Sequence, residues 1–139
     1  MNSFFEEIQY SGERYAIVLN TSESPEGLSF ITQDSDYIQA GMWNYKKGTN
    51  LPAHYHNYFE RVSYRTSEAV YVVEGKVECK IFTEEGEPIW EGILNKGQLI
   101  IQLQGAHKYT ILEDAIVVET KNGPYFGAEV DRTRIENND

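Results

Sequence analysis

The sequence predicts an all-β fold, and two observations support that prediction. Turn-forming residues recur at short intervals, and short runs rich in Val, Ile, Tyr and Phe lie between them. This spacing is typical of a sandwich or barrel rather than of alternating strands and helices. The ten tyrosines agree with it, because Tyr is favoured in strands. The predicted strands are residues 15–19, 30–32, 42–45, 69–73, 77–82, 99–103, 108–112 and 115–120.

The segment 77–82 shows the alternation that a barrel strand requires. Val77, Cys79 and Ile81 share one face and alternate with the charged Glu78 and Lys80. We therefore interpret Cys79 as a small buried hydrophobic residue rather than a catalytic thiol. As the sole cysteine it cannot form an internal disulfide, which suits a reducing compartment.

Helical signal is weak, and residues 4–10 are the one segment that we interpret as a helical turn or two. The 139 residues amount to a single domain, residues 1–139, with the barrel core at about 40–123 and a polar tail at 131–139. The start lacks the basic and apolar pattern of a signal peptide, and no window is apolar enough for a membrane span. We therefore expect a cytoplasmic protein.

The net charge of −10 limits the classes of partner. Nucleic acids and anionic membranes are both bound through basic surfaces, so neither is expected as a partner. A small molecule is the expected partner instead.

The three histidines indicate a metal site. His54 and His56 are two residues apart, so on a strand they point to the same face and can converge on one ion. His107 follows the predicted strand 99–103. Glu68 shares a face with Val70, and an acidic side chain on an apolar face is costly unless it is paired or bound to metal.

These residues also form a motif that resembles the first motif of the cupin family. That motif is filled in this sequence by Gly48, His54, His56, Glu68 and Gly75. Residues 97–102 resemble the opening of the second cupin motif, and His107 matches its metal-binding histidine. The resemblance covers residues 48–123.

The resemblance implies a double-stranded β-helix, a jelly-roll-like barrel, with one divalent ion inside one mouth. The ion would be Zn, Mn, Fe or Ni, and its ligands would be His54, His56, Glu68 and His107. It also implies a homodimer that pairs through an N-terminal strand, here 15–19, whose edge would be exposed. The ending KNGPYF is similar to that of small cupins associated with bacterial cell-surface sugar biosynthesis.

The sequence departs from the motif between the histidines and the glutamate. Eleven residues separate His56 from Glu68, where the family usually has three or four. Glu60 has the usual spacing and is a rival ligand. Strand parity and Gly75 favour Glu68, which leaves Glu60 as a catalytic acid–base or as a group that supports the ligands.

Several other side chains are candidates for contact with a substrate. Tyr58, Arg61 and Tyr64 lie in the additional segment, which is either a substrate lid or an ordinary solvated loop. Tyr109 has the parity of His107 and is either a proton donor or part of the core. Gln102, or the nearby glutamine two residues on, would face inward beside a ligand histidine or the substrate.

Three functions agree with this set of residues. The first is a metal-dependent isomerase or epimerase of a sugar or sugar nucleotide, in which Glu60 or Tyr109 moves the proton. The second is an iron-dependent dioxygenase. The third is a metal-binding or sugar-binding module without catalysis, because the fold alone does not select among these functions.

Overall fold

A computed structural model describes residues 4–135, and it confirms the all-β prediction. In this range, eight strands are joined by loops, and the helical elements are a 3-10 turn at Thr21–Glu23 and a short helix α1. The elements are β1 (Phe5–Tyr10), β2 (Glu13–Asn20), β3 (Gly27–Phe30), β4 (Gly41–Asn44), β5 (Glu68–Phe82), β6 (Pro88–Asn95), β7 (Gln98–Gln102), β8 (Ala106–Lys121) and α1 (Ala128–Asp131).

The strands form two antiparallel sheets. Five strands of the large sheet follow the order β1-β2-β7-β5-β6, and β8 pairs with the other edge of β5. Strands β3 and β4 form a separate two-stranded sheet. Over residues 4–135 neither sheet closes on itself.

Strand β5 bends sharply in its middle, and this bend shapes the molecule. Its first half pairs with β7, its second half pairs with β6, and β8 follows it along both halves. The register with β8 shifts on both sides of Glu74. Gly75 has a φ of 90°, and a Cβ atom there would lie 2.3 Å from the carbonyl oxygen of Asp114. Only glycine fits this close approach of two backbones.

The core consists of two clusters on opposite faces of the large sheet. The first lies inside the bend, and Cys79 is buried in it with no exposed surface, as predicted. The second lies between the other face of the large sheet and the region of β3 and β4. In β2, Ala16 and Val18 face the first cluster, whereas Ile17 and Leu19 face the second. Burial on both faces explains why this strand is continuously apolar.

Two predictions about the N-terminal region are wrong. Residues 4–10 are not helical, because Phe5–Tyr10 pairs with β2 through a tight turn in which Ser11 and Gly12 both have positive φ. The predicted exposed edge at 15–19 does not exist, because β2 has β1 on one side and β7 on the other.

Besides β1, the strand β6 (Pro88–Asn95) has no counterpart among the predicted strands. It begins at a proline and contains Gly92 between charged and apolar residues, so its sequence lacks a clean alternation. None of the helices in residues 4–135 is long and apolar enough to cross a membrane.

Two parts of the chain stay uncovered. Residues 45–67, which we call the connecting segment, contain no strand or helix and are exposed except at Ser67. Strand β8 pairs with β5 on one edge, and no strand within residues 4–135 pairs with its other edge. Large apolar side chains along β8 are also about half exposed, among them Ile111, Ile116 and Val118.

Candidate functional site

The bend in β5 brings Glu68 and His107 together. Glu68 begins β5, whereas His107 pairs with Ile81 at the far end of the same strand. Because β5 folds back on itself, Glu68 Oε2 lies 3.7 Å from His107 Nε2. The Glu68 side chain is 14% exposed and that of His107 is 35% exposed. The pair therefore sits at the rim of the first core cluster, partly shielded from water.

Gln102 orients the imidazole of His107. The His107 Nδ1–H group donates a hydrogen bond to Gln102 Oε1, since an amide oxygen can only accept. The amide of Gln102 in turn donates to the carbonyl oxygen of Gln104 at 3.2 Å. This arrangement leaves a lone pair on His107 Nε2, on the side of Glu68. Burial lowers the pKa of His107, which favours the same neutral form.

A second carboxylate, Glu119, completes this cluster, and the sequence did not identify it. Burial, followed by the hydrogen bond with Glu119 and its charge, raises the pKa of Glu68 to about 8. The same hydrogen bond lowers the pKa of Glu119. At neutral pH, Glu68 therefore carries a proton and donates it to the Glu119 carboxylate. The positive charges of Lys121 and Arg132 lower the pKa of Glu68, but their effect is smaller than that of burial and of Glu119.

Tyr109 lies beside His107 and contacts the core. Its ring centroid is 5.0 Å from that of His107, and its hydroxyl is hydrogen-bonded to the thiol of Cys79. Burial raises the pKa of Cys79 to about 12 and raises the pKa of Tyr109 above its ordinary value. Both groups therefore stay protonated near neutral pH, and the raised pKa makes the Tyr109 hydroxyl a hydrogen-bond donor and a weak acid.

His54 and His56 lie together on the connecting segment. Their ring centroids are 5.1 Å apart, and His54 Nδ1 is 3.1 Å from the carbonyl oxygen of Pro52. Within residues 4–135, no three His, Cys, Asp or Glu side chains converge closely enough to hold an ion. The structure thus contains two pairs of predicted ligands, His54 with His56 and Glu68 with His107, and it does not join them.

The remaining candidates on the connecting segment face solvent. Tyr58 and Tyr64 are fully exposed, and Glu60 is exposed as well. The Arg61 guanidinium lies 3.7 Å from the centroid of the Phe59 ring, a cation–π contact between neighbours in the chain. No hydrogen bond or ion pair in the described part of the chain joins these side chains to Glu68 or His107.

Asn122 anchors the end of the connecting segment next to Glu68. Its Oδ1 accepts a hydrogen bond from the backbone N–H of Ser67 at 2.8 Å, and its Nδ2 donates to the carbonyl oxygen of Arg65 at 3.3 Å. Asn122 directly follows β8, so the connecting segment leaves the sheet beside the last residues of that strand.

The donor atoms of Glu68 and His107 have a separation that suits a shared ion. Two ligands of one tetrahedral ion, with bonds of about 2.0–2.1 Å, lie about 3.4 Å apart. The observed 3.7 Å between Oε2 and Nε2 is close to that separation. Imidazole and carboxylate together accommodate Zn, Fe, Mn or Ni, so the residues fit the predicted class of metal.

Comparisons with models of known families, with curated proteins and with solved structures find no match for this chain. Support for a function therefore comes from the donor atoms of the site and from the histidine–glutamate motif in the sequence. Glu68, His107 and Gln102 supply the geometry, and His54 with His56 supplies the motif.

Proposed function

We propose that this protein binds one divalent metal ion through His54, His56, Glu68 and His107, and acts with it on a small polar substrate. The observation that carries this proposal is the pair formed by Glu68 Oε2 and His107 Nε2, 3.7 Å apart. The hydrogen bond to Gln102 supports it, because ligand histidines usually donate their second ring nitrogen to an oxygen acceptor.

The second half of the proposed site requires the connecting segment to lie along the open edge of β8. Two features support this closure: the edge carries unpaired backbone groups, and Asn122 holds one end of the segment beside it. Closure would bring His54 and His56 toward His107 and would complete the double-stranded β-helix that the cupin resemblance implies. We retain Glu68, rather than Glu60, as the carboxylate ligand.

For the reaction, we propose isomerisation or epimerisation of a sugar or sugar nucleotide. A divalent ion held by these four residues would supply Lewis acidity to a substrate carbonyl oxygen. Tyr109 lies beside His107 and keeps its hydroxyl protonated, so it is the candidate for a hydrogen bond to a substrate oxygen. Glu60 is the candidate base on the connecting segment. Tyr58, Arg61 and Tyr64 are the candidates for holding the substrate.

Metal analysis of variants tests the binding site directly. We expect about one ion per chain in the unmodified protein, and loss of that ion in the double variant His54→Ala/His56→Ala. Tyr55→Ala is the matched control, because Tyr55 is exposed between the two histidines and has no role as a ligand. Unchanged metal content in the double variant would exclude the site.

The identity of the ion then separates the reactions. Iron together with oxygen uptake would favour the dioxygenase over the isomerase. Zinc or manganese without oxygen uptake, combined with incorporation of deuterium from D2O into a sugar nucleotide, would support the isomerase or epimerase. A bound ion without oxygen uptake and without deuterium incorporation would support the non-catalytic binding module.

A further inference from the structure

A second polar site lies in a cavity that neither Glu68 nor His107 lines. It is a cavity of about 350 Å³, and one of its walls is formed by the start of β2 and by residues 35–37. Ser63, Arg65 and Ser67 form the facing wall, and Gln104 lines it from the connection between β7 and β8. Small-molecule sites commonly have volumes from about 300 Å³ upward, so the cavity is large enough for a small ligand.

The first wall is held firmly by an ion-pair network. The Arg14 guanidinium donates two parallel hydrogen bonds of 3.0 Å to Asp36, and its Nε donates to Glu7 at 2.8 Å. Gln104 Nε2 donates to the Arg14 carbonyl oxygen at 2.9 Å. The charge of Arg14 is therefore already neutralised, and Arg14 serves as structure rather than as a binding group.

Arg65, on the facing wall, differs from Arg14 in that its guanidinium is not ion-paired with any described residue. Its backbone is fixed, since its carbonyl oxygen accepts hydrogen bonds from Ser63 Oγ at 3.1 Å and from Asn122 Nδ2 at 3.3 Å. Its guanidinium, by contrast, has no ion-pair partner within residues 4–135. The side chain lines this cavity and also a smaller one of about 130 Å³ beside it.

The charges around Arg65 restrict the ligand that fits. Glu13 lines the large cavity, and Glu84 and Glu85 line the small one. A ligand with more than one anionic group would be repelled by these carboxylates. A single anionic group on Arg65 would be accepted, and hydroxyl groups elsewhere on the ligand would find acceptors in Glu13 and in the serine hydroxyls.

We propose that this cavity binds a small hydroxylated organic anion. Its carboxylate or phosphate group contacts Arg65, and its hydroxyl groups contact Ser35, Ser63 and Glu13. The site does not depend on the proposed metal function. The two sites are neighbours in the chain, because Ser67, which lines this cavity, directly precedes Glu68.

Calorimetric titration of the full chain without added metal tests this proposal. The test ligands are glycerol 3-phosphate, gluconate, glycerol and inorganic phosphate. We expect glycerol 3-phosphate, gluconate or both to bind more tightly than glycerol and inorganic phosphate. Whichever of the two binds better shows whether the site prefers phosphate or carboxylate.

Variants identify the contacts. Arg65→Gln should weaken binding of the hydroxylated anion roughly 10- to 100-fold, because a charge-assisted hydrogen bond is lost. Ser35→Ala should weaken binding severalfold and leave inorganic phosphate unaffected. Arg134→Gln, which removes the same charge at an exposed position outside the cavity, should change nothing.

Three results would overturn the proposal. The first is that neither hydroxylated anion binds at millimolar concentration. The second is that Arg65→Gln and Arg134→Gln bind equally well. The third is that inorganic phosphate binds as tightly as glycerol 3-phosphate, which would leave the hydroxyl contacts without a role. Because no metal is added, none of these results bears on the site of Glu68 and His107.

Discussion

The packed sheet and the connecting segment differ in almost every physical respect. In the packed sheet, Ile17, Ile81 and Ile100 are completely buried. In the connecting segment, residues 45–66 are exposed throughout. Among the described residues, their single backbone–backbone hydrogen bond runs from the N–H of Thr49 to the carbonyl oxygen of Lys46, at 3.2 Å. Stability therefore resides in the sheet, whereas the connecting segment contributes donor atoms and aromatic rings without contributing to the core.

The predicted metal ligands are divided between these two regions. Glu68 and His107 are positioned by paired strands, whereas His54 and His56 are carried by the exposed segment. Binding of an ion to all four would require the segment to move toward Glu68 and His107. The free energy of that rearrangement would then reduce the observed affinity.

Truncation of the core should produce the largest effect and locate the stability in the sheet. We expect Ile81→Ala to lower the free energy of unfolding by about 2–5 kcal/mol, because it leaves a cavity in the first cluster. Val62→Ala, at a half-exposed position of the connecting segment, should change it by less than about 0.5 kcal/mol. Urea unfolding measures both. Similar losses in the two variants would contradict the contrast between the regions.

The sequence predicted the packed region well where alternation is clean. Val77, Cys79 and Ile81 lie inward as expected, because a strand with one buried face leaves a period of two in its sequence. It failed at residues 4–10, where a two-residue turn at Ser11 and Gly12 decides the pairing, and at β6, where a proline and a glycine hide the pattern.

The candidate site shows the same division. The motif pointed to Glu68 and His107, which the structure places in contact. Glu119 was not identified, because its position beside Glu68 depends on the register of β8 against β5 after several irregularities. Nothing in a strand sequence such as AIVVET reports which residue will face which across a bulge.

Metal affinity should depend on pH, and this dependence tests whether Glu68, in the packed sheet, is a ligand. The pKa of Glu68 is raised to about 8, so below that pH an ion must displace its proton. We therefore expect affinity to rise with pH, by roughly tenfold per unit, and to level off above about pH 8. Calorimetric titration at pH 6.5, 7.5 and 8.5 measures this.

Glu119→Gln provides the control for that dependence. In this variant the negative charge of Glu119 is lost. The hydrogen bond that the protonated Glu68 donates to the Glu119 carboxylate is lost as well. Both interactions raise the pKa of Glu68 in the unmodified protein. The levelling-off should therefore move to lower pH in this variant. An affinity that is independent of pH in the unmodified protein would exclude Glu68 as a ligand.

The smallest expected effect concerns the junction between the two regions. Asn122→Ala removes the two hydrogen bonds that hold Ser67 and Arg65 beside the end of β8. We expect a loss of about 1 kcal/mol in the free energy of unfolding, as is usual for hydrogen bonds at a partly exposed site. Amide exchange should accelerate at residues 65–67 and stay unchanged in the strands of the core.

Asn50→Ala, on the exposed part of the connecting segment, is the matched control and should alter neither quantity. If Asn122→Ala accelerated exchange throughout the sheet, the junction would belong to the packed region, and the connecting segment would be coupled to the core. If exchange were faster only at residues 65–67, the two regions would be separate units joined at Asn122. An added metal ion would then be expected to couple them, because its ligands come from both.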